Sequence, residues 1–157
     1  AGVPVPGHVE PGALAVALQD WLDAEVTRRV RALVPVHAAA VIWEGRAALF
    51  PATSGSGKTT LARALTAQGA ACYSDELAFL DREGRVHAYP RHVITRDPDG
   101  ARRVQQGSGS DARRLPPVPV GWIVGLHFEP AASLRLTPMP SSEAVLLLLA
   151  NTAFRLD

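Results

Sequence analysis

The fold of this chain is indicated most strongly by the stretch Thr53-Ser54-Gly55-Ser56-Gly57-Lys58-Thr59-Thr60. It meets the pattern G-x-x-x-x-G-K-[ST] except at the first position, where Ala52 replaces glycine. An apolar segment precedes it and a helical pattern follows it, which is the context of a phosphate-binding loop. A Gly/Ser-rich surface turn would explain the glycines, but not Lys and Thr in this order. We therefore predict a Walker A loop in an α/β fold, with the Ala52 methyl tolerated if its φ is negative.

Each residue type in this loop serves phosphate binding differently. Glycines can adopt positive φ, so that successive N–H groups turn inward at a helix N-terminus and form a nest for anions. Lys58 supplies a charge for the β- and γ-phosphates, and the Thr59 hydroxyl is a ligand for Mg²⁺. We therefore expect ATP and Mg²⁺, with the nucleotide held by Ser54, Gly55, Ser56, Gly57, Lys58, Thr59 and Thr60.

Composition limits the remaining possibilities. The 157 residues are 47% hydrophobic, enough for one domain over 1–157, with a helical segment over 1–33 and a nucleotide-binding core over 34–157. The net charge of +1 gives no reason to expect nucleic acid or an anionic membrane. The single cysteine, Cys72, favours a cytoplasmic location, and no segment reaches the ~18 apolar residues that span a bilayer. An incomplete C-terminus and a homo-oligomer stay open.

Hydrophobic periodicity predicts the elements around the loop. Helical spacing predicts an amphipathic helix over 11–33, with an apolar stripe made of Leu14, Leu18, Trp21, Leu22, Val26, Val30 and Leu33. Extended runs on either side of Glu44-Gly45 predict a hairpin that leads into the loop. A short helix over 59–68 should end at Gly69, and a buried strand should follow over 71–74.

The second half of the chain is predicted in the same way. A second hairpin is expected around 81–84, followed by a long mobile loop over 97–119. Two further strands are expected over 121–128 and 134–139. A closing helix over 141–154 would carry Glu143 in its first turn.

An acidic pair, Asp75-Glu76, follows the 71–74 strand. Mg²⁺ held by phosphates and one threonine needs carboxylate help, and a hydroxyl acceptor needs a base to take its proton. We therefore predict that both acids lie at a ligand-binding strand end, with Thr59, Asp75 and Glu76 as metal ligands. Asp75 follows Lys58 by only 17 positions in the sequence. This short separation favours a small-substrate or hydroxyl kinase over motor and switch NTPases. The alternative is a pair of solvated acids.

The segment from His37 to Glu76, with its histidine, hairpin, Ser-Gly-Ser-Gly-Lys-Thr-Thr loop and Ser-Asp-Glu, resembles the HPr kinase/phosphorylase family. The likeness is strongest to HPr-kinase-like enzymes found with peptide natural-product clusters, and it covers residues 33–96. Phosphoenolpyruvate carboxykinases share a similar loop but are far longer. The resemblance implies a core like the C-terminal domain of HPr kinase, with a mixed sheet and flanking helices.

The resemblance also implies roles for five residues. Asp75 matches the aspartate that activates the seryl hydroxyl, and Glu76 replaces a second acid that assists the metal or the nucleophile. His37 matches a histidine near the transferred phosphate, whereas by spacing alone it reads as a structural residue. Arg91 follows a proline as in related kinases and would neutralise phosphoryl charge, although a surface ion pair also explains it. The catalytic candidates are therefore Asp75, Lys58, His37, Glu76 and Arg91.

The chain departs from the family at two places. Ala38 follows the histidine where the family has glycine, and the signature E-[VI]-R-G-x-G has no counterpart after Tyr89. The second departure argues against a phosphorylase reaction. Four arginines of the predicted long loop are candidates for binding an acidic peptide or covering the nucleotide, or are simply solvated: Arg102, Arg103, Arg113 and Arg114.

These patterns lead us to expect an ATP-dependent kinase that phosphorylates a hydroxyl, of the serine type, on a peptide or small protein. One alternative is a metabolite kinase of the shikimate or gluconate type, against which stands the hairpin before the loop. The other is a nucleotide-binding module without catalysis. The sequence does not encode which acceptor is used.

Overall fold

The computed structural model describes residues 11–53, 55–89, 91, 93–96, 102–105 and 115–152. Within them the chain is α/β, with a mixed sheet and flanking helices, as predicted. The elements in chain order are α1 (Pro11–Arg29), β1 (Val34–Trp43), β2 (Arg46–Pro51), α2 (Lys58–Ala67), β3 (Ala71–Ser74), β4 (Leu77–Leu80), β5 (Arg85–His87), β6 (Val93–Arg96), β7 (Arg102–Gln105), β8 (Val118–Ile123) and α3 (Ser141–Ala150).

The long strand β1 organises the sheet. Its C-terminal part pairs with β2 on one edge and with β3 on the other, while its N-terminal part pairs with β4. β4 in turn pairs with β5, β5 with β8, and β8 with β2, so that five strands close into a ring. Only the β2–β8 pairing is parallel among these ladders. The phosphate-loop candidate therefore leaves the sheet from a strand, β2, that is paired on both edges.

The two faces of β1 bury different partners. Val36, Ala38 and Ala40 join a core inside the ring of strands. The alternating residues Ala39 and Val41 pack on the other face, in a cluster that includes Ala62 of α2. Because side chains alternate along a strand, His37 belongs to the face that carries α2.

Two local predictions about chain reversals are confirmed. Glu44 and Gly45 both have positive φ, 48° and 74°, as a two-residue hairpin turn of type I′ requires. Gly69, with φ 99°, follows α2 and donates to Thr66 O, and the next amide, that of Ala70, donates to Leu65 O. These paired bonds are the Schellman motif that ends a helix at glycine.

Helix α1 is shorter and differently oriented than its apolar pattern predicts. It ends at Arg29, and it packs through a face that contains Val16 and Asp23. The predicted apolar stripe is instead exposed, by 41–61% of each side chain, at Leu14, Leu18, Trp21 and Leu22. The prediction of the packed face was wrong: the face that packs carries buried Val16 together with Asp23, whose carboxylate contacts Tyr89 and Arg91.

The predicted loop over 97–119 contains regular structure that composition concealed. β7 pairs antiparallel with β6, and β8 begins at Val118. β6 carries three β-branched residues in a row, Val93, Ile94 and Thr95, and Ile94 pairs with Val104 of β7. Such residues favour strands even where Gly, Ser and Pro are frequent nearby. Arg102 and Arg103 therefore lie in a strand, whereas Arg113 and Arg114 lie outside the described residues.

The C-terminal predictions are confirmed only in part. β8 ends at Ile123, and residues 124–140 form no strand, so the strand predicted over 134–139 was wrong. Leu134 and Leu136 are among the most exposed apolar side chains, since no neighbouring strand pairs with them in the described part of the chain. α3 carries Glu143 in its first turn as predicted. None of the helices that the structure describes has the length and apolarity to cross a bilayer.

Candidate phosphate-binding site

The loop between β2 and α2 has the backbone geometry that an anion nest needs. Gly55 and Gly57 have φ of 86° and 91°, and open space lies where a Cβ would project from either. Gly57 is also the N-cap of α2, so no cap side chain competes for the first-turn amides. Ala52, the departure from the motif, has no positive φ and is compatible with a methyl group. Ser54 lies outside the described residues.

The side chains of the loop's remaining candidates lie around this helix start. Lys58, Thr59 and Thr60 form the first turn of α2. The Oγ of Ser56 is buried and has no hydrogen-bond partner within the described residues. A buried hydroxyl without a partner costs free energy unless a ligand or water satisfies it. The loop therefore offers both main-chain and side-chain donors to an anion.

Lys58 is buried, and its ammonium group folds back across the loop. Nζ donates to Ala52 O at 2.6 Å and to Thr53 O at 2.9 Å, and only 4% of the residue is exposed. Burial lowers the pKa of Lys58, while the neighbouring Glu76 and Asp75 oppose this shift. The two carbonyl bonds fix the charge beside the glycines and compensate part of its desolvation.

His37 connects Lys58 to Glu76. Its Nε2 lies 3.2 Å from Lys58 Nζ, and its Nδ1 lies 3.3 Å from Glu76 Oε1. An ammonium group only donates, so Nε2 must accept and the proton must reside on Nδ1, facing Glu76. Burial lowers the pKa of His37, which favours this neutral form. We call Lys58, His37 and Glu76 the loop cluster.

Asp75 and Glu76 directly follow β3, as predicted, but they lie in a short break between β3 and β4, and both strands pair with β1. Ser74 Oγ accepts hydrogen bonds from the amides of Glu76 and Leu77, at 3.2 and 3.0 Å, and this turn interrupts the ladder for two residues. Ala38 N still donates to Glu76 O, and β4 continues along β1. The acids therefore project from a break within one edge of β1 rather than from an open sheet end.

Asp75 is a buried carboxylate, with 7% of the residue exposed. Burial raises its pKa, the Arg91 charge opposes that shift, and Glu76 adds to it. A buried acid with a raised pKa beside a cation is typical of a group that handles protons. This environment argues against a pair of solvated acids, at least for Asp75.

Arg91 is not at the surface: its side chain is 4% exposed and pairs with Asp23 of α1, with 3.2 Å between Nη2 and Oδ2. Tyr89 Oη and Gln19 Nε2 each donate to the other Asp23 oxygen at 2.9 Å. Burial raises the pKa of Asp75 and lowers that of His37; the Arg91 charge opposes the first shift and adds to the second, so the guanidinium acts on both groups. We call Asp23, Tyr89 and Arg91 the helix cluster.

Sequence reasoning missed Asp23 and Tyr89. The available signal was weak: Val16, Gln19 and Asp23 share one helical face, but the apolar residues of α1 mark another face more strongly. Neither residue belongs to a motif. Their importance becomes visible only when the fold brings α1 beside the segment that follows β5.

The donor set suits Mg²⁺ better than a metal caged by protein. No group of three or more His, Cys, Asp or Glu side chains that could hold a metal occurs in the described ranges. Mg²⁺ keeps several waters and is usually held by one or two carboxylates together with substrate phosphates. The predicted metal ligands Thr59, Asp75 and Glu76 carry oxygen atoms of that kind.

Comparisons with protein-family models, curated proteins and solved structures find no match for this chain. Its function must therefore be inferred from the site itself.

Proposed function

We propose that this chain is an ATP-dependent kinase that transfers the γ-phosphoryl group to a hydroxyl of the serine type on a peptide or small protein. One observation carries the proposal: all five catalytic candidates participate in the contacts and charge interactions of one site. They come from β1, the start of α2, the break after β3 and the segment after β5. Structural ion pairs alone would not require this convergence beside a glycine nest.

The proposal includes a P-loop core of the HPr kinase type. Its support is the order of elements: a hairpin precedes the loop, a histidine lies on the first hairpin strand, and an acidic pair follows the strand after α2. This is the order on which the sequence resemblance rests. Shikimate-type kinases, in contrast, usually begin at the strand that carries the loop.

The loop and Lys58 would bind the polyphosphate. The loop amides near Gly55 and Gly57 lie at the start of α2, where the helix dipole favours anions, and would donate to phosphate oxygens. Lys58 would exchange its carbonyl partners, or share them, with phosphate oxygens. Thr59, with Asp75 and Glu76, would hold Mg²⁺, which supplies neutralisation of phosphate charge.

Asp75 would act as the base. Its carboxylate accepts the proton of the attacking hydroxyl, and its raised pKa brings its basicity closer to that task than an ordinary aspartate. Arg91 carries a fixed positive charge in a buried position and would neutralise charge on the moving phosphoryl group. His37 lies between Lys58 and Glu76 and would hold the two side chains in place through its two ring nitrogens.

Labelled phosphate transfer tests this function. The chain is incubated with [γ-³²P]ATP and Mg²⁺, together with serine-containing peptides or with small hydroxylated acids and sugars, and ATP binding is measured in parallel. Lys58→Ala and Asp75→Asn are compared with Glu83→Gln, an exposed turn acid that serves as control. We expect peptide labelling that both site variants lose and the control keeps.

Each other outcome selects a different function. Labelling of sugars or acids alone would favour a metabolite kinase. ATP binding without any transfer would favour a nucleotide-binding module. Absence of ATP binding by the folded chain would contradict the proposal and both alternatives.

A further inference from the structure

Within the helix cluster, the Arg91 side chain is more constrained than is usual for a cation that would act on substrate. Its side chain is almost fully buried, yet Nε has no hydrogen-bond partner within the described residues. A buried, unpaired N–H of a charged group is costly unless something pairs with it. A cationic N–H without a partner suits an anionic ligand, and the charge of Arg91 also acts on Asp75 of the candidate site.

Asp23 is held so that one oxygen faces Arg91. Tyr89 and Gln19 both donate to Oδ1, which leaves Oδ2 for the guanidinium. Tyr89 is itself fixed, because its amide donates to Tyr73 O at 3.0 Å and its ring packs edge-on against Phe79. A carboxylate fixed by such supporting bonds can position its partner, as catalytic constellations require.

We infer that Asp23 is a positioning residue for Arg91: α1 supplies the carboxylate that keeps the guanidinium beside Asp75 while leaving Nε for a phosphoryl oxygen. The inference rests on the proposed kinase function and names a part of the site outside its loop. Asp23 would touch neither nucleotide nor acceptor. The site would therefore be complete only with α1 docked against the segment that carries Tyr89 and Arg91.

The physical reason is competition between two acids for one arginine. Asp23, Asp75, His37 and Tyr89 are the charged or titratable groups whose interactions with Arg91 the structure shows. Without the Asp23 charge, Asp75 becomes the remaining acid with which Arg91 interacts. A direct Arg91–Asp75 pair would then occupy both the base and the cation.

A double-mutant cycle on transfer kinetics tests the inference. Asp23→Asn keeps the size of the side chain, Arg91→Met removes the guanidinium, and the double variant combines them. Glu25→Gln is the matched control, because Glu25 pairs with Arg28 and Arg29 on an outer face of the same helix. Circular dichroism confirms folding, and Asp23→Glu tests rescue by the restored charge.

We expect Asp23→Asn to lower kcat about tenfold, less than the roughly 10²–10³-fold cost of removing a charge-stabilising donor itself, with the ATP KM and Kd nearly unchanged. Asp23→Glu should recover part of kcat. Arg91→Met should cost more, and the double variant should be no worse than Arg91→Met alone, because Asp23 acts through Arg91. Unchanged kcat in Asp23→Asn, or multiplying effects, would overturn the inference.

A second measurement stays informative if transfer is absent or Asp23→Asn folds poorly. The ¹⁵N NMR signal of the Arg91 Nε–H is followed with inorganic triphosphate in wild type and in Tyr89→Phe, which removes only one supporting hydroxyl. We expect a triphosphate-dependent shift that Tyr89→Phe weakens. The same shift in both proteins would refute the positioning role. The expected weaker shift in Tyr89→Phe, found in a protein that transfers no phosphate, would refute only the kinase proposal.

Discussion

The loop cluster and the helix cluster flank the same carboxylate, Asp75, but are built in opposite ways. The loop cluster joins residues from one contiguous segment, 37–76, around a recognisable motif. The helix cluster joins residues up to 68 positions apart, Asp23 and Arg91, through a helix whose apolar pattern indicates a different packed face. The comparison shows that a short motif can reveal one half of a candidate site while most of the opposite half depends on tertiary structure.

The clusters also share a charge pattern. Each contains one cation and one acid, with a neutral group between or beside them: Lys58 with Glu76, and Arg91 with Asp23. Asp75 is the acid left over, which fits its raised pKa. Substrate binding would therefore perturb two balanced pairs around one unbalanced carboxylate.

Breaking the loop cluster should have the largest effect. Lys58→Ala removes the cation that the loop positions, and we expect transfer to fall by about 10³-fold, the upper end for loss of one charge-stabilising donor. ATP affinity should fall as well, because the ammonium group would also bind the phosphates of ATP before transfer. Transfer assays and isothermal calorimetry measure both effects. Retained ATP affinity would show that the loop is not the phosphate site.

Removing the charge of Asp75, which lies between the clusters, should lower the transfer rate but raise the free energy of unfolding. Asp75→Asn should reduce transfer about 10²–10⁴-fold while ATP binding is largely kept. The raised pKa means that ionised Asp75 costs stability near neutral pH, so the amide should raise the unfolding free energy, by about 0.5–2 kcal/mol as for other stabilising changes. Urea unfolding checks this. Full activity of Asp75→Asn would refute its role as base.

Protonation of His37 should loosen the loop cluster from within. Its folded-state pKa lies below the ordinary value of 6.5, so the unfolded chain takes up the proton first as the pH falls. The folded protein should thus lose stability below about pH 6.5, until the folded-state pKa is passed. His37→Gln should flatten this part of the stability curve. An identical pH dependence in the variant would contradict the assigned neutral form.

The smallest effect is expected at the exposed stripe of α1, and it sharpens the contrast with the helix cluster. Trp21→Gln should change the unfolding free energy by less than about 0.5 kcal/mol, because Trp21 is 60% exposed. Val16→Ala, on the packed face, should cost more. The reverse order in chemical denaturation would mean that α1 docks through its apolar stripe, as its sequence pattern indicates.

Local signals explain which features the sequence predicts. The β1–β2 turn, the glycine stop of α2, and the placement of Asp75-Glu76 after β3 each depend on a few neighbouring residues. The packed face of α1, the β6–β7 hairpin and the burial of Arg91 depend on partners distant in sequence. Periodicity in a single sequence does not show such pairings, so of the helix cluster only Arg91 was predicted, through the family resemblance, whereas Asp23 and Tyr89 were missed.

The central claim, that the loop binds a nucleoside triphosphate through its polyphosphate, can be tested at one atom. Lys58 is the only lysine in the chain, so [¹⁵N]lysine labelling gives a single Nζ signal from the site. Titration with Mg²⁺ and ATP should shift that signal saturably, whereas adenosine should leave it in place. A signal unmoved by saturating ATP, or moved equally by adenosine, would contradict the claim.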